Sequence, residues 1–125
     1  MSTTIPIQDW TYEHGRAVDG DTVAGWLSQV VQIPGWDVIT RTPLLAPVKL
    51  RLVTLDTPER GEVGWSEARV QVQAWLTRTP DLRAQLYGYD AFGRLLADIY
   101  RAADRTDTLS QHMLRSGWLP WQGSR

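Results

Sequence analysis

Two short stretches of this 125-residue chain carry the residue types that phosphoester chemistry uses. Asp19-Gly20-Asp21 sets two carboxylates around a glycine between apolar segments, and Asp56-Thr57-Pro58-Glu59 sets two more after an alternating segment. Arg51 stands five residues before Asp56, and Arg94 leads out of the turn YDAFGR. Two carboxylates can hold a divalent cation that polarises a phosphoryl oxygen. A third acid can orient or deprotonate water, and arginines can neutralise charge building on phosphorus. The chain has no cysteine, and neither His14 nor His112 has the spacing of a metal pair or a catalytic triad. Thiolate sites and thiol nucleophiles are therefore excluded, and all-oxygen ligation suits a hard cation. Each stretch also has a plain structural reading. Asp-Gly is a strong hairpin signal, Asp-Thr-Pro-Glu is an ordinary exit from a strand, and Arg51 and Arg94 could be solvated flanking charges. Spacing alone does not bring these groups together.

The elements that would position them follow from pattern. Residues 1–10 read as an irregular lead-in, and 11–19 and 21–32 as strands meeting at Asp19-Gly20. Pro34-Gly35 and two further prolines make 30–47 a long loop or irregular edge. Val48, Leu50 and Leu52 alternate with Lys49, Arg51 and Val53, predicting a strand whose second face is polar. On that reading Arg51 and Arg94 lie on a polar, cleft-facing side, and folding should survive their replacement. Ser66 offers a helix cap, and Ala68, Val72, Trp75 and Leu76 recur at helical spacing over 66–78. Strands are expected at 83–89 and 94–100. A final helix is marked by Thr108 and Gln111 at its start, by Leu109 and Met113 on one face, and by Gly117 at its end. The order β-β-β-α-β-β-α suits a small closed barrel of the oligonucleotide-binding (OB) type.

Charge is nearly balanced, with thirteen Lys plus Arg against fourteen Asp plus Glu, which argues against a protein that holds nucleic acid by charge alone. Twelve of the thirteen cations are arginine, the exception being Lys49. That bias suits two-point phosphate contacts and is also what a GC-rich genome would leave. The N-terminus lacks the basic start and apolar run of a signal peptide, so a cytoplasmic location is the default expectation. No stretch reaches membrane-spanning length.

Taken together, VDGDT (18–22), RLVTLDTPE (51–59), FGRLLADIY (92–100) and LSQHMLRSGWL (109–119) resemble the staphylococcal-nuclease-like (thermonuclease) family, over residues 14–121. The resemblance implies an α+β, mainly β, fold. It is a single domain over 11–125, with a five-stranded OB-type barrel and two packed helices, in which the family's C-terminal third helix is missing. It implies a calcium-dependent nuclease acting on DNA and/or RNA and leaving 3′-phosphate and 5′-hydroxyl ends. Carried over residue by residue, Asp21 and Asp56 would bind Ca²⁺ with the Thr57 carbonyl. Glu59 would be the general base, Arg51 and Arg94 would stabilise the phosphate, and Asp19 would stand one layer behind. Phe92 replaces a family tyrosine, and it and Trp121 could stack on bases. The segment 30–47 is an insertion. Trp118, Leu119 and Trp121 folding back, the insertion, or a dimer interface would cover the flank left by the missing helix. A monomer is expected, with a dimer as the alternative, and no membrane partner. The rival function is an OB-type module that binds single strands, or another partner, without cutting.

Overall fold

The computed structural model describes residues 9–32, 39–43 and 48–120. Hydrophobic alternation builds β1 (Asp9–Ala17) and β2 (Thr22–Gln32), which pair antiparallel across the turn at 18–21. β4 (Val48–Leu52) then pairs antiparallel with β2. After α1 (Trp65–Arg78), β6 (Leu82–Tyr89) and β7 (Leu95–Arg101) form a second hairpin. β6 lies antiparallel to β1, and β7 lies parallel to β4, so the order β1-β6-β7-β4-β2 returns to β1 and closes. The fold is thus an α+β, mostly β, five-stranded OB-type barrel with two helices. Closure pairs both edges of every barrel strand, which removes the open edge that a flat sheet would present.

Four short strands lie outside the expected order. β3 (Ile39–Pro43), within the 30–47 segment, pairs with the outer half of β2. β8 (Asp104–Thr108) pairs with β7. β5 (Leu55–Asp56) and β9 (Leu119–Pro120) make a separate two-stranded ladder. None has the length or alternation that makes a strand visible in sequence. β1 also begins at Asp9, so the last two positions of the expected lead-in are strand. Residues 1–8, 33–38, 44–47 and 121–125, which include Trp36 and Trp121, lie outside the described residues.

The core is the inward face of the barrel plus one face of each helix. Leu27, Leu50, Leu52, Leu55 and Ile99 are fully covered. α1 buries Ala68, Val72, Trp75 and Leu76, the four positions its period marks. α2 (Leu109–Arg115) buries Leu109 and Met113. Its start is capped as expected, the Thr108 hydroxyl accepting the Gln111 N–H at 3.1 Å. Its end is a paired turn: Gly117 N–H bonds Leu114 C=O and Trp118 N–H bonds Met113 C=O, with Gly117 at φ +100°. Only glycine adopts that conformation without strain. The start of α1 differs from expectation. Its cap is Gly64 in the left-handed region (φ +93°), with no side-chain cap, and Ser66 lies one residue inside the helix. The chain enters through Gly64 because Trp65, the first helical residue, is tied elsewhere.

Candidate active site

Four separate segments converge on a cleft of about 280 Å³: the first hairpin turn, the end of β4, the loop after β5, and the start of β7. Asp19, Asp21, Asp56 and Glu59 supply its carboxylates, and Arg51, Arg60 and Arg94 its guanidiniums.

The turn is held by Val18 and Asp19 N–H groups donating to Thr22 C=O at 2.9 and 3.0 Å. Gly20 has no positive φ, so it is not there for turn geometry. A Cβ at Gly20 would stand 2.6 Å from Ala68 Cβ and 2.7 Å from Thr57 Oγ1. Glycine lets the turn press against α1 and the loop after β5, and that approach carries Asp21 to the site. Asp21 is 9% exposed. Its carbonyl accepts Leu52 N–H at 2.8 Å, and its Oδ2 accepts Thr57 N–H at 3.0 Å. Asp19 points the other way, its Oδ1 accepting the Trp65 indole N–H at 2.6 Å. That bond is what fixes the first residue of α1.

Asp56 is positioned by the β5–β9 ladder, in register with Leu119. Thr57 is buried directly behind it. Glu59 and Arg60 follow on the exposed loop, whose turn is braced by the Glu59 N–H donating to Glu62 Oε1 at 2.6 Å. Arg94 is fixed by Asp90 across the β6–β7 turn through an Nε–Oδ2 contact of 2.6 Å. Desolvation pushes the Asp90 carboxyl up, but the N–H groups of Arg94 and Phe92 and the Arg94 guanidinium outweigh it and hold its pKa below the ordinary value.

Arg51 departs from the expectation of a solvated strand face. It is 4% exposed. Nη1 donates to the carbonyls of Leu52 (2.8 Å) and Leu55 (2.6 Å), and Nη2 lies 3.5 Å from Asp21 Oδ2 and 3.8 Å from Asp56 Oδ1. The alternation of β4 is correct, but the face opposite the barrel core is roofed by the first turn and the loop after β5. Arg51 is therefore part of the frame as well as the cleft.

Of the residues singled out by sequence, the cleft gathers Asp19, Asp21, Arg51, Asp56, Glu59 and Arg94, with Thr57 against Asp21. Phe92 does not line it. Its ring is 76% exposed and packs 5.4 Å from the Arg94 guanidinium. Trp121 lies outside the described residues. Sequence reading missed Arg60 and Trp65. Arg60 lines the cleft and stacks over Trp65 at 5.2 Å, with Arg69 at 5.3 Å from the same ring. The adjacency of Arg60 to Glu59 was the available signal.

No three His, Asp or Glu side chains among the described residues gather as a metal-binding group. Asp21 and Asp56, oxygen donors that both lie within 4 Å of Arg51, are the residues of the cleft that could hold a hard cation. The charge of the cleft points the same way. With Asp19 turned to Trp65, three carboxylates face three guanidiniums, so the cleft offers a phosphodiester no net positive charge. A divalent cation would supply one. No family model and no curated protein matches the chain.

Proposed function

We propose that the chain is a metal-dependent phosphodiesterase of the thermonuclease type, hydrolysing DNA and/or RNA. The observation that carries this reading is the meeting of Asp21, Asp56, Glu59, Arg51 and Arg94, from four segments, in one cleft. Asp21 and Asp56, with the Thr57 carbonyl, would hold Ca²⁺, which would supply charge neutralisation at the phosphoryl oxygens. Glu59, on the exposed loop, takes a proton from water as its oxygen bonds phosphorus. Arg94, held by Asp90, and the outer edge of Arg51 bind the phosphate oxygens and offset the charge that develops there. The bond from phosphorus to the 5′-oxygen breaks and that oxygen takes a proton, leaving a 3′-phosphate and a 5′-hydroxyl, as the resemblance implies. Asp19 and Trp65 position the turn that carries Asp21.

The second reading, a module that binds without cutting, draws on one observation: Arg51 bridges both carboxylates and itself supplies positive charge between them. A cleavage assay on single-stranded DNA and RNA, with and without excess chelator, separates the two. Cleavage that stops with chelator and returns with calcium is expected. Glu59→Gln should cut turnover by about 10²-fold or more, the scale of a general base, while calcium binding stays within a few-fold. Chelator-insensitive cleavage would remove the metal assignment, and binding without cleavage would favour the second reading.

A further inference from the structure

The cleft continues on two sides, and the two sides differ in charge. One groove, of about 480 Å³, shares Asp56 with the cleft and adds Glu62, Val63, Trp118 and Leu119, with no cation in its lining. The other, of about 400 Å³, shares Thr22, Arg51 and Arg94 with the cleft. It adds Lys49, the chain's single lysine, together with Val48, Leu95 and Tyr89. Lys49 is exposed on β4, and the Tyr89 ring is 72% exposed at the end of β6. A polyanion running through the cleft meets Glu62 and no cation on one side and is attracted along the Lys49 side.

An exposed aromatic ring beside a cation selects a particular kind of polyanion. In a duplex the base faces are already stacked on one another. An unpaired strand offers both a phosphate and a free flat face, and aromatic rings stack on such faces whatever the base. We propose that the Lys49/Tyr89 groove holds an unpaired nucleotide of a single-stranded nucleic acid, Tyr89 stacking on the base and Lys49 contacting the adjoining phosphate. The proposal rests on reading the cleft as the site of a phosphodiester. It deepens that reading by naming the groove that takes the strand and the side of the cleft on which it lies.

The test is binding of a short labelled oligothymidylate, followed by fluorescence anisotropy with calcium present and in a Glu59→Gln background so that the strand survives. Adding Tyr89→Leu should weaken binding by about ten-fold, the loss expected for one base–aromatic stack, while Tyr89→Phe keeps it within about two-fold. Lys49→Gln should weaken it further and reduce the steepness of its salt dependence by about 0.7, one phosphate contact on a single strand. A duplex of matching length should bind more weakly than the single strand. Equal single-strand binding with and without Tyr89→Leu, no single-strand binding at all, or equal binding of the duplex would each overturn the groove assignment. Hydrolysis of a small aryl phosphodiester by the wild-type chain reads the cleft alone. If that fails while Tyr89→Leu still weakens strand binding, the groove stands and the phosphodiesterase reading falls. If it succeeds and Tyr89→Leu changes nothing, the reverse holds.

Discussion

Arg51 and Arg94 are the same residue type lining the same cleft, yet their surroundings give them different duties. Arg51 is enclosed, satisfies two strand-end carbonyls, and stands against two carboxylates. Removing one partner from such a buried arrangement leaves the others uncompensated, at a cost of about 3–5 kcal/mol. Arg51→Met should therefore lower the chemical denaturation midpoint sharply as well as abolish turnover. Arg94 is partly solvated, and its pair with Asp90 is a solvent-screened surface contact that adds little to stability. Arg94→Ala should stay folded while losing about 10³-fold in turnover. If Arg51→Met melted like the wild type, the framing role given to Arg51 would be wrong. Asp98 is a residue-scale case away from the cleft. Its Oδ1 accepts the Ser110 hydroxyl at 2.9 Å and the Ile99 N–H at 2.9 Å, joining β7 to the start of α2. Desolvation raises its pKa above the ordinary 3.8, against the hydrogen bonds from Ser110, Ile99 and Thr108. A carboxyl whose folded pKa lies above its unfolded value binds its proton more tightly in the folded chain. It adds stability at acid pH, and that increment is lost as pH rises from the ordinary aspartate value through the raised one. The stability of the wild type relative to Asp98→Asn should thus decline as pH rises above the ordinary aspartate value. Parallel pH profiles for the two proteins would contradict this.

The least conspicuous elements are the ones that hold the site. β5 and β9 are two residues each, yet their ladder sets the position of Asp56. The chain reaches β9 through the left-handed turn at Gly117, and Trp118 locks that turn, packing on the core while its indole N–H donates to Gln71 Oε1 at 2.9 Å. Of the C-terminal residues expected to fold back, Trp118 packs on the core beside α1, whereas Leu119 is 66% exposed. Trp118→Ala removes a half-buried aromatic contributing about 1–3 kcal/mol, enough to lower Tm by roughly 4–10 °C. Because β9 follows directly, turnover measured well below Tm should fall too. An unchanged turnover in the folded variant would detach Asp56 from this support. On the other side of Asp21, Gly20 plays the equivalent part by admitting Ala68 and Thr57 to contact distance.

Across the whole molecule, near-neutral composition hides local separation of charge. Arg78, Arg115 and His112 gather around a cavity of about 440 Å³ away from the cleft. They lie in the last turns of α1 and α2, where cations offset the partial negative charge of a helix end, so this cluster is accounted for by the helices themselves. Desolvation lowers the His112 pKa, and the neighbouring Arg78 and Arg115 lower it further. The cations available to a nucleic acid at the cleft form a separate group. Three line the Lys49 groove, and at about 0.7 per neutralised phosphate they predict a slope of about −2 for log affinity against log salt on a single strand. A slope near zero would mean that the strand is not held by its phosphates, and a much steeper one would move the binding surface elsewhere.

Local pattern was enough to place the barrel strands, both helices with their buried faces, and the cap and terminal turn of α2. These depend on period, on a hydroxyl three residues from an N–H, and on a glycine at positive φ, all properties of neighbouring residues. The sequence also marked Asp19, Asp21, Arg51, Asp56, Glu59 and Arg94 by type and spacing, but not the burial of Arg51. It could not mark the short ladder β5–β9, because two-residue strands exist only through their partner. It could not show Gly20 as a contact point, since the atoms that require glycine there belong to residues 57 and 68. Nor could it join Thr22 and Lys49 to Tyr89 in one groove. Burial of a charge, approach of two segments and the sharing of a cleft are properties of chain closure. Closure is decided by β1 meeting both β2 and β6, a long-range pairing that no local window contains.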